Sequence, residues 1–154
     1  MKPTPPAIVP PLNSMVCFSV YTAGLAFNRL YKNLLEEYGL TYPQFLVLIS
    51  LRHGGTQNVS TIGETLCLES NTLTPLLKRL EEAGLVMRRR DRQDERVVQV
   101  SLTKSGIKLV NDIGCVPPQV LEATHMAVKN VGILTANLNE LTQNLRRHTK
   151  TLRN

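Results

Sequence analysis

Residues 70–103 read SNTLTPLLKRLEEAGLVMRRRDRQDERVVQVSLT, and this stretch decides the fold. Leu73, Leu76, Leu77 and Leu80 recur at helical spacing with Thr72, Thr74, Lys78 and Arg79 between them. That is the pattern of an amphipathic helix with a basic, hydroxylated outer face. The helix stops at Ala83-Gly84, where Gly is the usual C-terminal cap. Two extended arms come next, Leu85 to Arg90 and Arg96 to Leu102, on either side of a polar turn at Asp91 to Asp94; this predicts a β-hairpin with a charged tip. Upstream, Ser60 to Leu66 predicts a short helix, capped either by Ser60 or by a Thr61/Glu64 capping box, about three to four residues before the Leu73 helix. The expected unit is a helix-turn-helix followed by a wing, in a fold that is mainly α with a small β-hairpin.

A helix of this kind fits the DNA major groove, and Lys or Arg on helix and hairpin would neutralise phosphates and release counterions. Between Arg88 and Lys104 six basic residues (88, 89, 90, 92, 96 and 104) face three acids (91, 94 and 95). An isolated basic run is as well explained by a solvated face; its coupling to a helix-turn-helix pattern favours DNA. The whole chain carries a formal charge of +6 with pI near 9.5. Basicity alone suits either nucleic acid or a membrane surface.

The combination resembles a known family. Asp94-Glu95-Arg96 in the hairpin, Leu73-Thr74-Pro75-Leu76-Leu77-Lys78-Arg79-Leu80-Glu81 on the helix, and Gly39-Leu40-Thr41-Tyr42-Pro43-Gln44 upstream resemble the MarR family of winged-helix regulators. Within it they are most similar to the organic hydroperoxide sensors, over about Val16 to Ile113. The resemblance implies a dimeric repressor of transcription acting on a palindromic double-stranded operator. In that frame Ser70, Asn71, Thr72, Thr74, Pro75, Lys78 and Arg79 face the DNA from the helix, with Asn71, Thr72, Thr74 and Lys78 nearest the bases. Arg88, Arg89, Arg90, Arg92 and Arg96 serve the backbone and minor groove, and Asp94 pairs with Arg96 to shape the wing's tip.

Length and order agree with one subunit of a small oligomer, at 154 residues with 42% hydrophobic residues and no Trp. Residues 1–12 form a Pro-rich arm, with prolines at 3, 5, 6, 10 and 11 that block regular hydrogen bonding. Residues 13–154 form a single subunit, with 13–56 as N-terminal helices, 57–103 as the winged helix-turn-helix and 104–154 as C-terminal dimerisation helices. Val16, Val20, Ala23, Phe27, Leu30 and Leu34 make a heptad-like stripe that needs a partner helix. Thr41 and Gln44 make a capping-box pattern for a helix starting near Tyr42, whose run Phe45 to Ile49 is apolar on every side and belongs at the centre of the core. Thr103 caps the helix after the wing, Pro117-Pro118 interrupts or bends the chain beyond it, and a last helix from about 127 to 152 carries Val131, Leu134, Leu138, Leu141 and Leu145. The terminal stripes exceed what the winged domain covers, so the expected dimer forms through the N- and C-terminal helices. No apolar run reaches the ~20 residues of a membrane span and no signal peptide is evident, so the expected location is the cytoplasm.

Three cysteines, Cys17, Cys67 and Cys115, fit neither a disulfide framework nor zinc-ligand spacing, and no Gly-rich nucleotide motif occurs, so no cofactor or metal is expected. Composition leaves the thiols as core fillers or redox groups. Cys17 precedes Phe18-Ser19-Val20-Tyr21, and the resemblance places a reactive cysteine at this start of the first helix. Helix N-termini favour anions, so a first-turn thiol is favoured as the thiolate that attacks peroxide. The resemblance also carries partner tyrosines onto Tyr31 and Tyr42, with Tyr21 beside them. Tyr31 lies fourteen residues on, about 21 Å along the same helix, so its phenol reaches a Cys17 thiolate only from the other subunit; otherwise the tyrosines are ordinary packing. Two-cysteine sensors place a second cysteine near Val120 to Met126, where this chain has none. Cys115 either serves as the resolving thiol or leaves the chain a one-cysteine sensor, its sulfenic acid trapped by a small thiol. Cys67 is assigned to packing. The expected function is a redox-sensing repressor that releases its operator when Cys17 is oxidised, and not an enzyme. Two alternatives are a regulator gated by a non-covalent phenolic ligand and a thiol peroxidase.

Overall fold

In the computed structural model, which describes residues 9–91 and 93–151, the chain divides into two units, residues 1–113 and 114–154. The Pro-rich arm expected over 1–12 falls mostly outside the described residues; after Pro11, Leu12–Ser14 forms a single 3-10 turn.

The first unit opens with α1 (Val16–Leu35), which ends in a 3-10 turn over Glu36–Tyr38 and Gly39 in the left-handed region at φ 64°. Gly39 sustains that conformation without the Cβ clash other residues meet. Thr41 then caps α2 (Tyr42–Gly54): the Gln44 side chain accepts the Thr41 backbone N–H at 2.8 Å, the reciprocal half of a capping box. Phe45, Val47, Leu48 and Leu51 of α2 are buried, so the run apolar on every side does lie at the core. A two-residue strand β1 (Gln57–Asn58) leads into α3 (Val59–Leu66). Its cap is Asn58, whose side-chain oxygen accepts the Thr61 N–H at 2.7 Å, rather than Ser60 or a Thr61/Glu64 box. Asn58 closes the strand and opens the helix at once, a dual use invisible to a pattern search for caps.

Next comes α4 (Ser70–Glu82), with Leu73, Leu77 and Leu80 essentially fully buried. Each such burial contributes roughly 1.5–3 kcal/mol, which seats this helix firmly against the core while its polar face stays outside. The hairpin is β2 (Val86–Arg90) and β3 (Val98–Leu102), antiparallel with Arg88 opposite Val100, and β1 adds to the other side of β3, giving the order β1-β3-β2. Thr103 caps α5 (Lys104–Asp112) as expected, its hydroxyl accepting the Gly106 N–H at 3.0 Å.

The second unit holds α6 (Val116–Ala123) and α7 (Val128–Thr151). The α-helical run from Lys104 gives way to a 3-10 turn over Ile113–Cys115 just ahead of Pro117-Pro118, and both prolines sit in the first turn of α6, where the N–H groups they lack have no intrahelical acceptor. On α7, Leu134, Leu138 and Leu145 remain exposed. No helix among the described residues is long and apolar enough to cross a membrane.

Candidate nucleic-acid interface and thiol site

The outer face of α4 is built by the same spacing that buries its leucines. Ser70, Asn71, Thr72, Thr74, Pro75, Lys78 and Arg79 are all exposed on it. Pro75 lies inside the helix and has no N–H, so the Asn71 carbonyl lacks its usual helical donor. Lys78 makes only a loose exposed pair with Glu82 at 3.7 Å, which leaves its charge largely free. The turn joining α3 to α4 passes through Cys67, held in the left-handed region at φ 55°. Cys67 is exposed, so the packing role expected from sequence is not what the fold gives it.

The wing presents its cations unequally. Arg89, Arg90 and Arg96 are exposed, whereas Arg88 is half-buried and bound to Glu81 of α4: its Nε donates at 2.8 Å and its Nη2 lies 2.7 Å from the same carboxylate oxygen. The Arg88 backbone N–H donates to the other oxygen at 3.2 Å. These bonds, the side-chain one foremost, hold the Glu81 carboxyl below the usual carboxylate range. At the tip Asp91 accepts the backbone N–H groups of Gln93 at 2.8 Å and Asp94 at 3.4 Å and the Gln99 side-chain amide at 3.0 Å. Those donors, Gln93 first, lower its carboxyl as well. Asp94 does meet Arg96, but through the Arg96 backbone N–H at 3.0 Å, and the guanidinium forms no ion pair among the described residues. Arg92 lies outside the described residues. The sequence assigns no contact to Glu81 or Gln99, and marks Asp91 only as the start of the polar turn. An Asp at the entry to a tight turn is a recognisable signal for the tip, while the Glu81 contact depends on how the Gly84 turn folds α4 back beside β2.

Cys17 stands in the first turn of α1, exposed, after an N-terminal residue, Met15, that supplies no side-chain cap. Tyr21, one turn along, is 63% exposed. Tyr31 and Tyr42 stack with ring centroids 4.0 Å apart, and Phe45 sits 5.5 Å from Tyr31, so α1 and the start of α2 are joined by an aromatic cluster. Burial raises both phenols above their ordinary value, and the neighbouring Tyr42 raises Tyr31 further, so each is a neutral hydrogen-bond donor at physiological pH. The pair lies fourteen residues of continuous helix from Cys17 of the same chain, which keeps thiol and phenols apart within one subunit. Beside Tyr42 a groove of about 490 Å³ is lined by Asn28, Lys32, Glu36, Leu40 and Pro43 among others. Cys115 closes the 3-10 turn before α6, exposed, in the second unit. Among the described residues no group of three or more His, Cys, Asp or Glu is placed to hold a metal ion.

Known proteins with the same architecture share much of this sequence. The family model described as transcriptional regulator SarA/Rot matches residues 29–113. The regulator TtmR of Methylorubrum extorquens is 47% identical over 127 residues, 82% of this chain, which spans 65% of that relative's length. The organic hydroperoxide resistance transcriptional regulator of Bacillus subtilis is 37% identical over 134 residues, 87% of this chain and 91% of the relative. Among solved structures, reduced AbfR bound to DNA superposes with a TM-score of 0.70 at 33% identity, covering 87% of this chain and 94% of that one. AbfR, a protein of Staphylococcus epidermidis, has also been seen overoxidized on DNA. With a family model over more than half of the chain and a relative matched along nearly its whole length, the chain belongs to the MarR family of winged-helix transcriptional regulators, in which its similarity runs to the SarA/Rot and organic hydroperoxide regulators.

Proposed function

We propose that the chain is a redox-sensing, DNA-binding repressor that lets go of its operator when Cys17 is oxidised. The observation that carries this is the pairing of an exposed first-turn thiol with an exposed basic helix and wing in one chain. In this reading α4 enters the major groove with Asn71, Thr72, Thr74 and Lys78 nearest the bases. Ser70, Pro75 and Arg79 flank them, and Arg89, Arg90, Arg92 and Arg96 address the backbone and minor groove. The protein works in the cytoplasm as a symmetric dimer formed through residues 13–56 and 104–154, which covers the exposed leucines of α7 and the exposed valines Val16 and Val20 of α1.

The dimer brings the Tyr31–Tyr42 pair of one subunit to Cys17 of the other. As neutral donors the phenols hydrogen-bond the thiolate and, later, its oxidised form. The Cys17 thiolate attacks the outer oxygen of an organic hydroperoxide, the O–O bond breaks, and the departing alkoxide takes up a proton to leave as an alcohol. Cys17 becomes a sulfenic acid, which condenses with Cys115 or with a small thiol. The chemistry is a switch, reset by thiol, rather than an enzymatic turnover.

The test is gel-shift titration on a duplex selected by the wild-type protein from a random-sequence pool, with and without cumene hydroperoxide. Wild type releases the duplex on oxidation and rebinds after thiol; Cys17→Ser stays bound throughout. Equal release by Cys17→Ser would reject the thiol as sensor. A second reading, a regulator gated by a non-covalent phenolic ligand, draws support from the groove beside Tyr42, whose lining includes Asn28, Lys32 and Glu36. In that case salicylate releases the duplex from wild type and from Cys17→Ser alike.

A further inference from the structure

Of the described wing arginines, Arg88 is set apart by its surroundings. Side chain and backbone of this one residue are both held by the Glu81 carboxylate, by way of Nε at 2.8 Å, Nη2 at 2.7 Å and the N–H at 3.2 Å. The N–H belongs to the outer edge of the sheet, since β2 pairs with β3 alone in the order β1-β3-β2. Glu81 therefore closes a strand edge that otherwise ends in solvent, and does so from the last turn of the helix that carries the DNA-facing residues.

Between the two elements lies the Gly84 turn, whose Gly84 carbonyl accepts the Thr103 hydroxyl at 2.6 Å. Leu85 N–H donates to the Leu80 carbonyl at 3.0 Å and Gly84 N–H to that of Glu81 at 2.8 Å, the two bonds of a Schellman cap around Gly84 at φ 70°. These bonds fix the turn at its base, while β2 further along is tied back to α4 by the Glu81–Arg88 contact. A planar guanidinium held by two nitrogens on one carboxylate resists a swing of the hairpin relative to α4, because both bonds must be broken together.

We propose that Glu81 is a positioning residue for DNA binding, and that it and Arg88 lock the angle between α4 and the wing instead of Arg88 contacting phosphate. This inference rests on the DNA-binding reading given above. The lock lets Arg89, Arg90 and Arg96, which have no ion pair among the described residues, meet the duplex in a fixed register with α4.

The sign of one substitution separates this from simple electrostatics. Glu81→Gln removes a negative charge from the DNA-facing unit, so charge alone makes the variant bind more tightly. A positioning role makes it bind more weakly, by about three- to fivefold, as expected for a partly exposed ion pair. The experiment is equilibrium titration of a duplex selected by the wild-type protein across a KCl series. It compares wild type, Glu81→Gln, Arg88→Gln, Arg88→Lys and the double variant Glu81→Gln/Arg88→Gln, with each protein's melting curve recorded to confirm folding.

The expected result is weaker binding by Glu81→Gln and Arg88→Gln with an unchanged slope of log K against log salt. The double variant should be no worse than either single. Arg88→Lys should resemble Arg88→Gln, because an ammonium cannot reproduce the two-nitrogen grip. The inference is overturned if Glu81→Gln binds as well as or better than wild type. It is equally overturned if Arg88→Gln lowers the salt slope by about one while Arg88→Lys restores it, the signature of a direct phosphate contact. Failure of the wild type to bind any selected duplex overturns the DNA reading and this inference with it, whereas normal wild-type binding with neutral Glu81 variants overturns this inference alone.

Discussion

Gly106 offers the sharpest test of how the wing is joined to the helices. A Cβ built on it falls 2.0 Å from the Leu85 carbonyl oxygen, 3.0 Å from that carbonyl carbon and 3.3 Å from Leu102 Cδ2. The obstacle is backbone, not a side chain that can turn away. The same Leu85 carbonyl accepts the Thr103 N–H at 3.1 Å, while the Thr103 hydroxyl donates to the neighbouring Gly84 carbonyl at 2.6 Å. Moving it aside to admit Gly106→Ala therefore loosens the Thr103 N–H bond at the point where α5 docks on the start of β2. Overpacking of this kind costs about 1–3 kcal/mol, and the weakened hydrogen bond up to about 1 kcal/mol. Against this, alanine gains at most about 1 kcal/mol in helix propensity over glycine. Taken at their midpoints these leave a net destabilisation of about 2 kcal/mol, a drop of about 4–8 °C in Tm for a chain of this size. Circular dichroism melts at one fixed protein concentration measure it, with Ser105→Ala, an exposed neighbour on the same helix, as the control expected to melt no lower than wild type. A Gly106→Ala protein melting at or above wild type would refute the close approach of α5 to Leu85.

Arg96→Ala should cost on the order of 1–3 kcal/mol of duplex affinity and lower the salt slope by about one, read by the same KCl titrations; an unchanged slope would remove Arg96 from the DNA interface. Leu138→Glu places a carboxylate in the exposed stripe of α7 and should convert a dimer to monomer in sedimentation, while a wild type already monomeric at micromolar concentration would dispose of the dimer. Tyr31 bears on alkaline stability. Its folded-state pKa lies above the ordinary 10.0, so its contribution is fully present below pH 10.0 and is lost as pH rises through the higher folded value. Tyr31→Phe should flatten that part of the stability profile, and an identical alkaline loss in wild type and variant would show that the Tyr31–Tyr42 stack is not responsible.

What could be read from the chain and what could not divides along a physical line. Leu73, Leu77 and Leu80 are buried because burial is set by a helix's own period, and Thr41/Gln44 formed the expected capping pair because both partners lie within one turn. The misses involve partners distant in sequence, or residues with two local uses. Asn58 caps α3 from inside a strand, and Cys67 is turned outward by a left-handed backbone that no hydropathy pattern encodes. Arg88 and Arg96 look alike in the sequence, both in a basic run. Their difference depends on Glu81, seven residues before Arg88 across a turn, and charge counting treats such an acid as mere background. Tyr31 and Tyr42 pack together because Gly39 reverses the chain, which brings residues eleven apart into a stack.

That stack also bears on how a thiol on α1 is heard by a DNA-reading head. α1 touches the rest of the first unit chiefly through α2, and α2 in turn packs against α3, α4, α5 and β3. Tyr31, Tyr42 and Phe45 form the aromatic part of the first of these contacts, while Val47, Leu48 and Leu51 are buried in the core of the same unit. Close-packed cores transmit displacement rather than absorbing it. On the proposed reading, a change in what the Tyr31–Tyr42 pair hydrogen-bonds moves the N-terminal end of α2, a helix in contact with both halves of the helix-turn-helix and with the wing's central strand. The coupling then needs no long relay of polar groups. It needs only that α2 have two resting positions differing by a few kcal/mol, one of which holds the two heads at the spacing of their half-sites.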